Sequence, residues 1–199
     1  MKRNLLFKIF VAFLAFVMVF TTVYWVFAAG IDEAEMTANA IMLLDQDTGA
    51  VLYEKNPDAK IAPASTTKIM TALVVCEQCN VLDRMRIPRE AVGIEGSSMY
   101  LKVGEKLTLE TLLYGLLLCS GNDAAVAIAE HISGSQEDFA KLMNATAREI
   151  GMEHSSFANP NGLDHEDHYS TARDMARLAC AAVENETLVR MASTRSVTI

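Results

Sequence analysis

The sequence predicts an α/β chain of the α+β type, with short strands first, a helical middle and the onset of strands at its end. Three observations carry this. Residues 40–44 and 51–53 are short apolar runs parted by Asp and Gly, as in a hairpin. Between residues 63 and 183, several segments repeat apolar residues at helical spacing. The uncharged stretch 9–29 stands apart from both patterns. At 199 residues and 51% hydrophobic, the chain is about one domain to one and a half and can build a core, which excludes disorder as its main state. A net charge of −8, with no basic cluster beyond residue 10, argues against a nucleic-acid partner.

Taken in order, residues 1–29 read as an export signal or an N-terminal membrane anchor. Lys2, Arg3 and Lys8 precede the apolar run, and Ala28-Ala29-Gly30 closes it with small residues, so that Val26-Phe27-Ala28 suits cleavage after Ala28. The run 9–27 is also long enough to span a bilayer of roughly 30 Å, so a retained anchor stays open beside a cleaved signal. Either way the rest of the chain lies outside the cytoplasm, and any membrane attachment comes from residues 1–29. Removing residues 1–28 takes three of the 17 basic groups and no acidic one. The 14 left against 25 acidic residues make the exported part a soluble domain of charge −11.

Residues 40–44 and 51–53, joined through Asp45-Gln46-Asp47-Thr48-Gly49, predict a β-hairpin. Pro63-Ala64-Ser65 opens a buried helix carrying Ile69, Met70, Leu73 and Val74 on one face. Short extended pieces are expected at 84–87 and 99–101. A core helix over 108–118 stops at Ser120-Gly121-Asn122. Helices follow at 123–132 and 136–150, the latter with Ser135 as N-cap and Gly151 just past its end. Asn159-Pro160-Asn161-Gly162 is a turn by composition. A last helix over 172–183 has Thr171 and Asp174 in capping-box positions, and 196–199 begins like a strand. Cys76, Cys79, Cys119 and Cys180 do not form a dense disulfide framework, and Cys76-Glu77-Gln78-Cys79 lies at a helix end without the strand of a redox motif.

Two short motifs carry chemistry. Ser65-Thr66-Thr67-Lys68 sets a hydroxyl and an amine at i and i+3, on one face of a helix start. Lys68 can take the Ser65 proton if burial keeps the amine neutral, and the Ser65 N–H can contribute to an oxyanion hole. Alone, this spacing also describes a solvated helix start. The second motif, Ser120-Gly121-Asn122, falls between two apolar helices, where a scaffold presents a polar loop to a cleft. Ser120 suits a proton relay, and Asn122 suits both substrate binding and the holding of Lys68. A helix cap is the plainer reading of the same residues.

The words around these motifs resemble the low-molecular-weight serine-type D-alanyl-D-alanine carboxypeptidases, penicillin-binding proteins of bacteria. The matching segments are Asp47-Thr48-Gly49 with Leu52-Tyr53-Glu54-Lys55-Asn56, then 63–71, Glu95-Gly96-Ser97-Ser98, 120–125, 157–163 and 168–174. They run in family order over roughly 38–179. The resemblance implies a transpeptidase/β-lactamase-like fold, an antiparallel sheet with helices on both faces. It implies that Ser65 attacks the carbonyl between two D-alanines of a peptidoglycan stem peptide with Lys68 as base, that Ser120 aids the leaving D-alanine, and that Asn122 binds the substrate amide. Water would then hydrolyse the acyl-enzyme, and β-lactam antibiotics would acylate the same serine as inhibitors. No cofactor and no metal are implied. His165-Glu166-Asp167-His168 has the look of a ligand cluster, but its last residue belongs to the matching His-Tyr-Ser-Thr-Ala words.

The sequence departs from the family at one point, because Lys-Thr-Gly occurs nowhere in the 199 residues. Residues 30–199 are therefore expected to be a partial catalytic domain, cut short before its closing strands, unstable at an unpaired sheet edge and inactive or nearly so. A noncatalytic, wall-associated remnant is the alternative. A class A β-lactamase fits less well: that family has Asp where Gly121 stands, and none of the Glu residues after Asn122 has Asn four positions on.

Overall fold

The computed structural model describes residues 36–198, so the expected signal or anchor at 1–29 and the last residue lie outside the described part. Residues 39–199 group as one compact unit. It is a mixed helix and strand structure, with strands β1 (Ile41–Leu44), β2 (Val51–Lys55), β3 (Arg84–Arg86) and β4 (Lys106–Thr108). The helices are α1 (Thr67–Gln78), α2 (Leu109–Leu118), α3 (Asn122–Ser133), α4 (Gln136–Glu149), α5 (Ala172–Glu184) and α6 (Glu186–Ala192).

The expected hairpin is present. β1 and β2 pair antiparallel with Ile41 opposite Lys55 and Leu43 opposite Tyr53. The turn closes because the Asp45 carboxylate accepts from the Thr48 N–H at 2.9 Å, while Gly49 takes a φ of +69° that a side chain would oppose. α5 packs against β1. Of the two expected extended pieces, the first is strand β3, which pairs with β4 at 106–108. Residues 99–101 form no strand because the Met99 and Leu101 N–H groups are taken by the carboxylate of Asp123, at 2.9 and 3.1 Å.

α1 runs through the centre and contacts α2, α4, α5 and α6. Met70, Leu73, Val74 and Val75 are fully buried on it. Each such side chain removed from water stabilises the fold by roughly 1.5–3 kcal/mol, so this helix is the axis of the core. It starts only after the Pro63-Ala64-Ser65 opening that the sequence suggests. Ala64–Thr66 form a 3-10 turn, Ala64 takes a φ of +48°, and regular helix begins at Thr67.

Caps explain most other boundaries. Thr108, Ser135 and Thr171 each accept from the N–H three residues on, and Gly134 and Gly151 follow α3 and α4 with φ of +77° and +79°. The capping box at α5 is only half formed. Thr171 caps as expected, but Asp174, one methylene shorter than Glu, turns its carboxylate to the His154 N–H and the Ser155 hydroxyl, at 2.7 and 2.8 Å. α6 was not foreseen, because Glu184-Asn185-Glu186-Thr187 reads as a polar break. Asn185 in fact caps it, and Arg190 ties it to Glu110 and Tyr114 of α2. The expected strand onset at 196–198 is coil.

Candidate active site

Ser65 sits exposed on the 3-10 turn at the mouth of α1, and Lys68 lies one turn below it, only 3% exposed. The i, i+3 spacing does bring the two together: Lys68 Nζ is 3.3 Å from Ser65 Oγ. The amine also donates to the main-chain carbonyl of Asn161 at 2.7 Å. Burial pushes the Lys68 ammonium down to about 8, so its neutral form is accessible near physiological pH.

The turn at 159–162 is the support for this pair. The Asn159 carboxamide accepts from the Gly162 N–H and donates to the Leu163 carbonyl, closing the turn on itself. Its outer carbonyls then face α1. Asn161 receives Lys68, and Pro160 receives the Thr71 hydroxyl at 2.7 Å. Gly162, at φ +85°, presses on the backbone before Ser65, so that a Cβ there would lie 2.5 Å from the carbonyl carbon of Ala64. Sequence reasoning found this turn by composition but assigned it no part in the site, because a main-chain carbonyl leaves no mark in the side-chain code.

His168 braces the same helix start. It is 5% exposed; the Ala158 N–H donates to Nδ1 at 3.1 Å, and Nε2 lies 2.8 Å from Thr67 Oγ1. An Nδ1 that accepts has no proton, so the ring is the neutral Nε2–H tautomer and donates to Thr67. Burial, and secondarily the nearby His165, hold its pKa below the ordinary histidine value. Both ring nitrogens are thus occupied by protein. Among the described residues no group of three His, Cys, Asp or Glu side chains is placed to hold a metal.

Ser120 follows α2 in a left-handed conformation, φ +55°. It shares a pocket of about 260 Å³ with Ser65, Lys68, Ile69 and Leu116. Three of the four predicted site residues therefore meet in one cavity. Asn122 is placed differently. It is buried, its N–H donates to the Ser97 carbonyl at 2.7 Å, and its side-chain amide donates to the Glu95 carbonyl at 2.6 Å. The expected hold on Lys68 comes from Asn161 instead.

Asp123, next in the chain, lies in the matching words at 120–125 but was assigned no role from the sequence. It is 1% exposed, and its carboxylate accepts from the N–H groups of Met99, Leu101 and Ala124 and from the Ser98 hydroxyl. Four donors and the start of α3 satisfy this buried charge and fix residues 98–101. The four cysteines are all free thiols. Burial pushes the Cys76 thiol up to about 11 and also raises Cys79, which disfavours the thiolate form at both.

A family model described as D-alanyl-D-alanine carboxypeptidase, peptidase S11, matches residues 27–198. The D-alanyl-D-alanine carboxypeptidase DacF of Bacillus subtilis is 43% identical over 167 residues, which are 81% of this chain and 43% of that protein. DacC of Escherichia coli is 36% identical over 182 residues, 86% of this chain and 46% of its own. The chain thus spans less than half the length of these two curated relatives. Among solved structures, a D-alanyl-D-alanine carboxypeptidase from Mycobacterium tuberculosis superposes with a TM-score of 0.81 at 30% identity, over 85% of this chain and 65% of that one. DacD from Francisella tularensis gives 0.75 at 41% identity, over 77% and 39%.

Proposed function

This chain belongs to the D-alanyl-D-alanine carboxypeptidase family of serine peptidases, and from that premise we propose that its site forms an acyl-enzyme on Ser65 with peptides ending in D-Ala-D-Ala. The observation that carries the reading is the contact of Ser65 Oγ with a buried Lys68 amine already anchored by the Asn161 carbonyl.

Neutral Lys68 takes the hydroxyl proton as Ser65 Oγ bonds to the carbonyl carbon between the two D-alanines. The tetrahedral adduct then expels the terminal D-alanine, whose nitrogen receives a proton through Ser120 in the shared pocket. Water cleaves the Ser65 ester and regenerates the hydroxyl. One N–H of the Asn122 amide is committed to Glu95, and the rest of that amide is assigned to the substrate. A β-lactam, with its reactive amide in the same relation to the serine, acylates Ser65 and inhibits.

The substrate places this chemistry at the bacterial cell wall, in peptidoglycan biosynthesis and the maintenance of cell shape. It assigns the protein to the envelope, exported through residues 1–29 or held in the membrane by them. A polypeptide of these 199 residues has no Lys-Thr-Gly, the family's source of a cation for the substrate carboxylate and of a second oxyanion N–H. Loss of one such donor slows turnover by about 10² to 10³. The second reading is a noncatalytic, wall-associated protein that binds penicillin without turning substrate over. Release of free D-alanine from a stem peptide ending in D-Ala-D-Ala separates the two. Slow release that disappears in Ser65→Ala supports the peptidase, and release equal in both proteins rejects it.

A further inference from the structure

The segment 95–101 holds the Ser120 turn by more than hydrogen bonds. Gly115, buried within α2, lies directly under the Met99 side chain: a Cβ there would stand 2.5 Å from both Cγ and Cε of Met99 and closer still to its sulfur. A Cβ on Gly121 would stand 3.2 Å from Met99 Cγ. The thioether is therefore seated in a notch that exists because positions 115 and 121 carry no side chain. The two glycines are themselves joined, Gly121 N–H to Gly115 carbonyl at 3.1 Å, and Cys119 N–H donates to the same carbonyl. Glycine weakens a helix interior, so its presence at 115 calls for a packing reason, and Met99 supplies it. Ser120 lies between these points at φ +55°, a conformation that surroundings must impose on a residue with a side chain.

We infer that Met99 is a positioning residue: its thioether, lodged between Gly115 and Gly121, latches the turn that aims Ser120 into the Ser65–Lys68 pocket. An unbranched, adaptable side chain suits an irregular slot of this kind. The consequence for catalysis rests on the acyl-enzyme reading of the site, whereas the latch itself does not.

The test uses Met99→Ala, Met99→Leu, Gly115→Ala and the Gly115→Ala/Met99→Ala double variant, with two readouts. One is the hydrogen-exchange rate of residues 119–121, whose Cys119 and Gly121 N–H groups donate to the Gly115 carbonyl, read by mass spectrometry of the peptides that span them. The other is Ser65 acylation by a labelled penicillin, resolved into a saturation constant and a limiting rate. Met99→Ala is expected to speed exchange at these N–H groups about tenfold by opening the turn. It should lower the limiting acylation rate about 10- to 100-fold through misplaced geometry, with the saturation constant within about twofold. Met99→Leu, which conserves volume, should stay within about twofold of the unaltered chain in both. Gly115→Ala should behave like Met99→Ala, and the double variant should be better than Gly115→Ala, because the new methyl occupies the vacated notch. If Gly115→Ala does not fold, the two Met99 variants carry the test. Unchanged exchange at 119–121 in Met99→Ala, or Met99→Leu no better than Met99→Ala, overturns the inference. If exchange responds as expected while the unaltered chain takes no label on Ser65, the latch stands and the acyl-enzyme reading falls.

Discussion

Lys68 Nζ donates to the main-chain oxygen of Asn161 at 2.7 Å, across 93 positions of sequence, and so this amine is aimed by a turn from the far half of the chain. The carbonyl accepts from either protonation state of the amine. Burial supplies the downward shift to about 8, and the Asn161 bond supplies the geometry.

Acylation should therefore follow the neutral form of Lys68, rising with pH through about 8 and levelling above it. Lys68→Arg, charged at every accessible pH, should acylate slower by about 10² to 10⁴ and lose this limb. The same shift sets a stability trend. The folded-state pKa lies below the unfolded 10.5, so a buried charge burdens the fold below about pH 8, and the burden lifts as pH climbs toward 10.5. Stopped-flow labelling across this range checks the rate, and a rate that is flat with pH would speak against Lys68 as base.

Gly162→Ala should be costly in stability and in acylation together. A methyl at φ +85° meets the Ala64 carbonyl, so either the 159–162 turn or the Ser65 turn must move. Strain of this kind is worth about 1–3 kcal/mol, measurable by urea unfolding. Wild-type stability in this variant would show that the contact is not a constraint.

His168 sets an acid limit on stability. Its pKa is below 6.5 in the fold, so the unfolded chain takes up a proton first as pH falls. The bond from the Ala158 N–H to Nδ1, which needs the unprotonated nitrogen, thus contributes fully above about 6.5 and is lost progressively below it. Melting temperature should drop more between about pH 7.5 and 5.5 in the unaltered chain than in His168→Gln, where that titration is gone. Equal drops would remove His168 from this role.

Asp123→Ala should unfasten residues 98–101, leaving three backbone N–H groups and a hydroxyl without their acceptor. With each buried unsatisfied donor costing about 1–3 kcal/mol, a loss of about 3 kcal/mol or more is expected by chemical denaturation. A loss under about 1 kcal/mol would mean that water replaces the carboxylate freely.

The elements that the sequence discloses are those whose cause is local. The hairpin is announced by Asp45 and Gly49, α4 by Ser135 and Gly151, and the core of α1 by its apolar spacing. The grouping of Ser65, Lys68 and Ser120 was legible because it was read from side-chain chemistry and spacing, and the structure puts all three on one pocket; nucleophile, base and relay are the roles proposed for them. What stayed hidden acts through the backbone or through distant packing. The Asn161 oxygen is common to every residue type, and the Asp123 carboxylate serves a loop more than twenty residues earlier. The same reason accounts for 99–101, a segment with strand composition whose N–H groups a distant carboxylate claims. α6 was hidden because its cap, Asn185, lies in a polar stretch that ends the preceding helix.

The most direct test is peptide mapping by mass spectrometry of the chain after prolonged exposure to a labelled penicillin at about pH 8.5, above the Lys68 pKa of about 8. We predict one adduct, on Ser65, absent in Ser65→Ala and strongly reduced in Lys68→Arg. An adduct on another residue, or one that persists in Ser65→Ala, would contradict the assignment of Ser65 as nucleophile.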